Sequence, residues 1–92
     1  MAALDLLGRR WALRILWELR DGPVGARALL ANIEGLSSSV FYERLRELSS
    51  AGITEKTDAD EYQLTRLGDS LVSALVPLDS WAKAWSRAQP KT

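Results

Sequence analysis

Apolar residues recur at helical spacing in successive stretches of the chain, and each stretch closes on a residue that stops a helix. Leu4, Leu6 and Leu7 form a short apolar segment ended by Gly8. From Arg9, Trp11, Ile15, Leu16 and Leu19 fall on one helical face, and Asp21-Gly22-Pro23 is a strong stop. Arg9 and Arg10 open that helix. A shorter helix follows, with Ala26, Leu29, Leu30 and Ile33 apolar and Gly35 after its end. Ser37 has the chemistry of an N-cap and begins a third major helix, which Ala51-Gly52 ends. Ile53-Thr54 and Tyr62-Gln63-Leu64 then read as two short strands around a polar, Asp-rich connection, a hairpin pattern. Thr65 caps a last helix with Leu67, Leu71, Val72, Leu75, Val76, Leu78, Trp81 and Trp85 as its apolar positions. Pro77 lies inside it, and a kink or break is expected there. The tail Ala88-Gln89-Pro90-Lys91-Thr92 is expected to fray.

The order is helix, helix, helix, hairpin, helix, with a tight connection between the second and third major helices. That order predicts a mainly α fold with a small β-hairpin: a winged helix-turn-helix in one domain over residues 1–92. The helix-turn-helix spans about 24–51, the wing about 53–64 and the last helix about 65–88.

Composition narrows the chemistry. The chain has neither His nor Cys. Disulfides, thiol switches, the usual zinc sites, Cys or Ser–His catalysis and imidazole pH sensing are therefore excluded. No glycine-rich phosphate loop follows a strand, and the carboxylates lie on exposed faces or loops, so an enzyme is not expected, nor is a cofactor or metal. No apolar run reaches the ~18 residues a membrane span needs, and no signal peptide is evident. A cytoplasmic protein is the expectation. Lys+Arg and Asp+Glu both number 12, giving zero formal charge. Nucleic-acid binders are usually basic, so DNA binding here must rest on local charge.

The third major helix carries that local chemistry. At 100° per residue Phe41, Leu45 and Leu48 form one stripe, which must face a core. The opposite stripe is Ser39, Glu43, Arg46 and Ser50, flanked by Tyr42 and Glu47. Ser37, Ser38 and Ser39 stand at the helix start, where free backbone N–H groups favour a phosphate. Arg46 can fork onto guanine, and Glu43 can accept from cytosine N4, each worth roughly 1–3 kcal/mol of base discrimination. The plainer reading is that Glu43 and Arg46, at i,i+3, pair on a wet face. Ser37 can equally serve only as a cap. Further phosphate candidates are Arg9 and above all Arg10, since two cations at a helix start need another reason to be there, with Arg27, Arg44 and, in the wing, Lys56.

Three segments, Leu4-to-Pro23, Leu36-to-Ile53 and Tyr62-to-Leu71, together resemble the HxlR-type winged-helix transcriptional regulators of bacteria. The most specific pieces are LDLLG followed by RW, RLRELSSAGI and YQLTRLG, in that order. The resemblance runs from about Leu4 to Trp81. It implies a homodimer on double-stranded, pseudo-palindromic operator DNA, with the third major helix in the major groove and the wing along the backbone. It also implies that the first and last helices build the twofold interface. Leu4, Leu7, Leu71, Leu75, Leu78, Trp81 and Trp85 are the candidate interface residues, and Leu71, Leu75, Leu78, Ala82 and Trp85 follow a heptad-like spacing. Trp11 and Trp81 match tryptophans usual in the family and are expected in core or interface.

The departures from the family pattern all lie at the presumed DNA face or at the sensing position. Met1-Ala2-Ala3 stands where many members carry a Cys. Ser38-Ser39 replaces Pro and a basic residue, and Glu43 replaces a polar uncharged one. Val24-Gly25-Ala26-Arg27-Ala28 replaces a basic-aromatic segment. The wing tip is short and acidic, with Asp58, Asp60 and Glu61. These changes favour a rival: a winged-helix protein-interaction or dimer-scaffold module with reduced DNA affinity. Arg10, Arg27, Arg44, Arg46 and Lys56 either converge on one face or are interleaved by acids, and that distinguishes the two.

Overall fold

The computed structural model describes residues 2–90. Five helices and three strands follow in the order α1 (Ala2–Leu7), α2 (Ala12–Glu18), β1 (Val24–Gly25), α3 (Ala26–Ala31), α4 (Ser38–Ser50), β2 (Thr54–Lys56), β3 (Glu61–Leu64) and α5 (Arg66–Ala88). The fold is a winged helix, as the pattern predicted.

The core sits where α2, α3, α4 and the wing base meet. Ile15, Leu16 and Leu19 of α2, Leu29 of α3, and Phe41, Leu45 and Leu48 of α4 are all essentially inaccessible to water. Ile33, Leu36, Ile53 and Val72 complete the cluster. Each such side chain contributes roughly 1.5–3 kcal/mol by leaving water. The apolar stripe of α4 is therefore spent inward, which fixes Tyr42, Glu43 and Arg46 on the outside.

The wing joins the helices through one carbonyl-rich corner. Thr65 N–H donates to the Ile53 carbonyl at 3.0 Å. The Thr65 hydroxyl donates to the Gly52 carbonyl at 2.6 Å and accepts from Gly68 N–H at 3.1 Å, capping α5. Gly68 packs so closely here that a Cβ on it would overlap the Ile53 carbonyl oxygen and touch Leu64 at 3.1 Å.

Several expectations need correction. The hairpin is the larger part of a three-stranded antiparallel sheet of order β1-β3-β2. Val24 pairs with Tyr62 and Gly25 with Glu61. A two-residue strand carries no alternation to read. Arg9 and Arg10 do not open α2; they stand in the turn before it, and α2 starts at Ala12. Trp11 closes that turn with φ 78°, in the left-handed region that bulky residues rarely occupy. Its indole meets Gly35, which has room for it at 3.6 Å from a notional Cβ. Pro77 does not break the last helix, which runs unbroken over Arg66–Ala88. Proline removes one N–H and crowds one carbonyl, that of Ser73. Both Ser73 and Pro77 face solvent, so water can satisfy that carbonyl.

The two expected interface helices divide their apolar residues. Leu7 and Leu71 are half-buried against the chain's own core. Leu75 is half-buried. Leu4, Leu78, Trp81 and Trp85 are exposed, Trp81 at 60% and Trp85 at 54%. Trp81 therefore lies outside the chain's own core, while Trp11 packs against it. The Trp81 and Trp85 rings stack on the same side of α5, 6.0 Å apart and 7° from parallel. The expected fraying at Lys91 and Thr92 lies outside the described residues, and Gln89 ends α5 as its C-cap. Among the described residues no helix is long and apolar enough to cross a membrane.

Candidate nucleic-acid interface

The outward face of α4 is built from its own sequence period. Ser37 has extended backbone and caps the helix through its hydroxyl, which accepts from Val40 N–H at 3.4 Å. Ser38 and Ser39 are exposed in the first turn, with the Ser37 and Ser39 hydroxyls 3.5 Å apart. Tyr42 is 45% exposed. Its ring leans edge-on against buried Phe41, with centroids 5.0 Å apart, so the core holds the exposed phenol in place. Arg46 is exposed and has no ion-pair partner among the described residues.

A cleft of about 450 Å³ separates α4 from the wing. Tyr42, Arg46 and Ser49 line one wall, and Thr54, Lys56 and Tyr62 the other. Thr54, the one buried polar residue among the described residues, is satisfied by the Ser49 hydroxyl at 2.8 Å, which staples α4 to β2. Across the cleft Lys56 is held by Asp60 at 2.8 Å and lies 5.9 Å above the Tyr62 ring. Its hydrogen bond to Asp60 and the Asp60 charge raise its pKa above the ordinary lysine value. Asp60 sits at the wing tip with φ 65°, and the Thr57 side chain accepts from the Ala59 and Glu61 N–H groups to close the turn.

The other flank of α4 is a four-residue charge cluster. Arg44 is only 12% exposed along its side chain. It donates through Nε to the Arg10 carbonyl at 3.0 Å and through Nη1 to Glu47 at 3.1 Å. Arg9 reaches over from the turn before α2, with Nη2 3.0 Å from Glu47 and 3.4 Å from Glu43. Glu43 also lies 3.5 Å from Arg44. The anticipated Glu43–Arg46 pair does not form; the ion-pair partners of Glu43 are Arg9 and Arg44. A guanidinium arriving from another segment comes closer than the i,i+3 neighbour does.

The candidate residues thus separate into groups. Ser37, Ser38, Ser39, Tyr42, Arg46 and Lys56 share the cap, outer face and cleft. Arg44 and Glu43 belong to the charge cluster, where Arg44 acts as a strut. Arg10 is exposed with its guanidinium 5.0 Å over the Trp11 ring. Arg27 is exposed on α3 and belongs to neither group. Of the five cations whose convergence was in question, Arg46 and Lys56 line one cleft, which Glu55 also lines and where Asp60 holds Lys56; Arg44 reaches the Arg10 carbonyl while paired with Glu43 and Glu47. The sequence marks Arg9 with Arg10 as a phosphate candidate but does not place it on the flank of α4, because its partners there lie 34 and 38 positions away.

Comparison with known proteins agrees with this architecture. The model of the HxlR-like helix-turn-helix family matches residues 6–90. The chain is 32% identical over 89 residues to YvaP, an HTH-type transcriptional regulator of Bacillus subtilis, covering 90% of this chain and 82% of that protein. It is 32% identical over 87 residues to the HTH-type transcriptional regulator YodB of the same organism, covering 88% and 78%. Among solved structures, quinone-bound YodB matches with a TM-score of 0.82 at 32% identity, covering 90% of this chain and 92% of that one. A possible HxlR family transcriptional factor from Thermoplasma volcanium matches with a TM-score of 0.83 at 26% identity, covering 91% and 81%.

Proposed function

This chain belongs to the HxlR-like helix-turn-helix family of transcriptional regulators, and from that premise we propose that it works as a homodimer on operator DNA. Each protomer places α4 in the major groove and its wing along the backbone. The observation that carries the reading is the outer face of α4. Its inner stripe is fully buried, so Tyr42 and Arg46 are held outward on a rigid support. Ser37, Ser38 and Ser39 leave the helix start free of bulk, so a phosphate can approach its N–H groups. Arg46, with no acid of its own, is the base-reading residue, and the cleft gives Lys56 and Ser49 access to the adjacent backbone. Arg10 and Arg27 serve as outlying phosphate contacts.

The homodimer reading rests on α5. Leu78, Trp81 and Trp85 present an apolar row to water on the last turns of the helix, and Leu4 is exposed on α1. Exposed tryptophans in such a row mark an interface more often than a solvated surface. Twofold symmetry then sets two copies of α4 about 34–36 Å apart, facing a pseudo-palindromic site.

A protein-docking role is the second reading, and one observation favours it: Glu43 and Glu47 neutralise Arg9 and Arg44, while Asp60 holds Lys56. One experiment separates the readings. Duplexes of random sequence are selected for binding by fluorescence anisotropy at two salt concentrations, and the size of the protein is measured by sedimentation. The proposal expects a dimer, a selected pseudo-palindrome and a steep salt dependence. In that pool Arg46→Ala relaxes preference at one half-site position. A uniform loss over all sequences would reject base reading by Arg46. A folded dimer that binds no duplex at low salt would establish the docking role instead.

A further inference from the structure

We infer that Arg9 is a phosphate ligand of the DNA-reading face that Glu43 holds in reserve. The inference rests on the DNA-binding reading above. Arg9 comes from the turn between α1 and α2, yet its guanidinium lies against the side of α4, on Glu43 and Glu47. Those acids border the same shallow recess as Arg46 and Ser50, so the Arg9 charge stands at the rim of the surface offered to DNA.

The cluster has two guanidinium groups and two carboxylates and is neutral as a whole. Its members are not equivalent. Arg44 is tied to the Arg10 carbonyl and to Glu47 and is 12% exposed, so it cannot leave. Glu47 is satisfied at both oxygens, by Arg44 on Oε1 and Arg9 on Oε2. Glu43 makes only the two longer contacts, at 3.4 and 3.5 Å, and is 47% exposed. Arg9 is equally exposed. Removing the Glu43 charge therefore leaves one surplus positive charge, and it falls on the exposed guanidinium of Arg9. Ion pairs this exposed are weak, while a guanidinium on phosphate makes two parallel hydrogen bonds. When Glu43 lets go, Glu47 remains as the partner of Arg9 at 3.0 Å, and the exchange for phosphate is made against that single pair.

This arrangement links phosphate grip to base identity. On a generic duplex Glu43 faces phosphate and keeps Arg9. Where the groove offers a cytosine amino group, Glu43 accepts from it, and Arg9 is released to the nearest phosphate. A correct base then strengthens a contact it does not itself make.

A double-mutant cycle tests this. Wild type, Glu43→Gln, Arg9→Ala and the double variant are titrated with one mixed-sequence duplex across a range of salt. Glu43→Gln is expected to bind roughly threefold tighter or better, with the salt slope steeper by about 0.9, the mark of one more phosphate contact. In the Arg9→Ala background the same change should leave the slope where it was and gain less. A gain as large or larger without Arg9 would show that Glu43 acts by repulsion alone and would overturn the inference. So would the absence of any gain in Glu43→Gln. If none of the four binds at low salt, with thermal melts showing all four folded, the DNA-binding reading itself falls. Wild-type binding without the Arg9–Glu43 coupling removes only the inference.

Discussion

Gly68→Ala pits two effects of opposite sign against each other at the joint between wing and α5. Gly68 is the third residue of a long helix, where alanine is the better helix former by at most about 1 kcal/mol. On propensity alone the substitution stabilises. The structure says otherwise. The new methyl would overlap the Ile53 carbonyl oxygen and press on Leu64 at 3.1 Å. Relieving this requires a backbone shift of about an ångström to restore ordinary contact. Overpacking of this kind costs about 1–3 kcal/mol. The displaced carbonyl also accepts from Thr65 N–H at 3.0 Å, a bond with a net worth of about 1 kcal/mol. The balance is a loss of about 1–3 kcal/mol. For a domain this size that lowers Tm by roughly 4–8 °C per kcal/mol. Urea denaturation followed by far-UV circular dichroism measures it, at one fixed protomer concentration because association also adds stability. A Gly68→Ala variant as stable as wild type, or more so, would refute the account of this joint.

Two further substitutions probe separate elements. Pro77→Ala restores an N–H to the middle of α5 and removes the crowding at Ser73, so it should raise stability by up to about 3 kcal/mol; unchanged denaturation would show that the helix already accommodates the ring without penalty. Asp60→Asn removes the partner that raises the Lys56 pKa. With the raised pKa, the Lys56–Asp60 pair is intact below the ordinary lysine range and is lost as pH climbs through the elevated value. NMR titration of the Lys56 side chain should therefore show a midpoint above ordinary lysine in wild type and a lower one in Asp60→Asn; identical midpoints would mean that the pair is absent in solution.

What could be read from sequence follows from the range of the forces involved. The α4 stripe was legible because Phe41, Leu45 and Leu48 are placed by a local period, and all three are buried. Ser37 and Thr65 were legible as caps because a cap acts within one turn. The β1 strand was not, because Val24 and Gly25 become a strand only through Tyr62 and Glu61, far along the chain. Glu43 illustrates the same limit at the site. Its spacing to Arg46 suggested a local pair, but Arg9 arrives from the turn before α2, distant only in sequence, and takes its place. Pro77 shows a local rule outweighed: its ring disturbs one carbonyl, while the remaining turns of a 23-residue helix hold their own bonds. The positive φ of Trp11 had no signal in residue type, since it belongs to a turn that Arg44 fastens from far along the chain.

The pairing of β1 with β3 gives the reading head an unusual independence from the rest of the chain. Gly25 faces Glu61 across the sheet and is also the N-cap of α3. The segment holding α3 and α4 therefore leaves the sheet from β1 and returns to it at β2, the two strands that flank β3. Its entrance and exit stay put whatever is written on its outer surface. Such a segment behaves as a cassette: new outward residues can be installed between fixed attachment points without re-routing the chain before or after it. The frame asks only that the inward stripe be kept, together with the clip that Arg44 and Glu47 make to the turn ahead of α2. Recognition of a different DNA sequence is thus a matter of rewriting a few exposed letters within a closed loop.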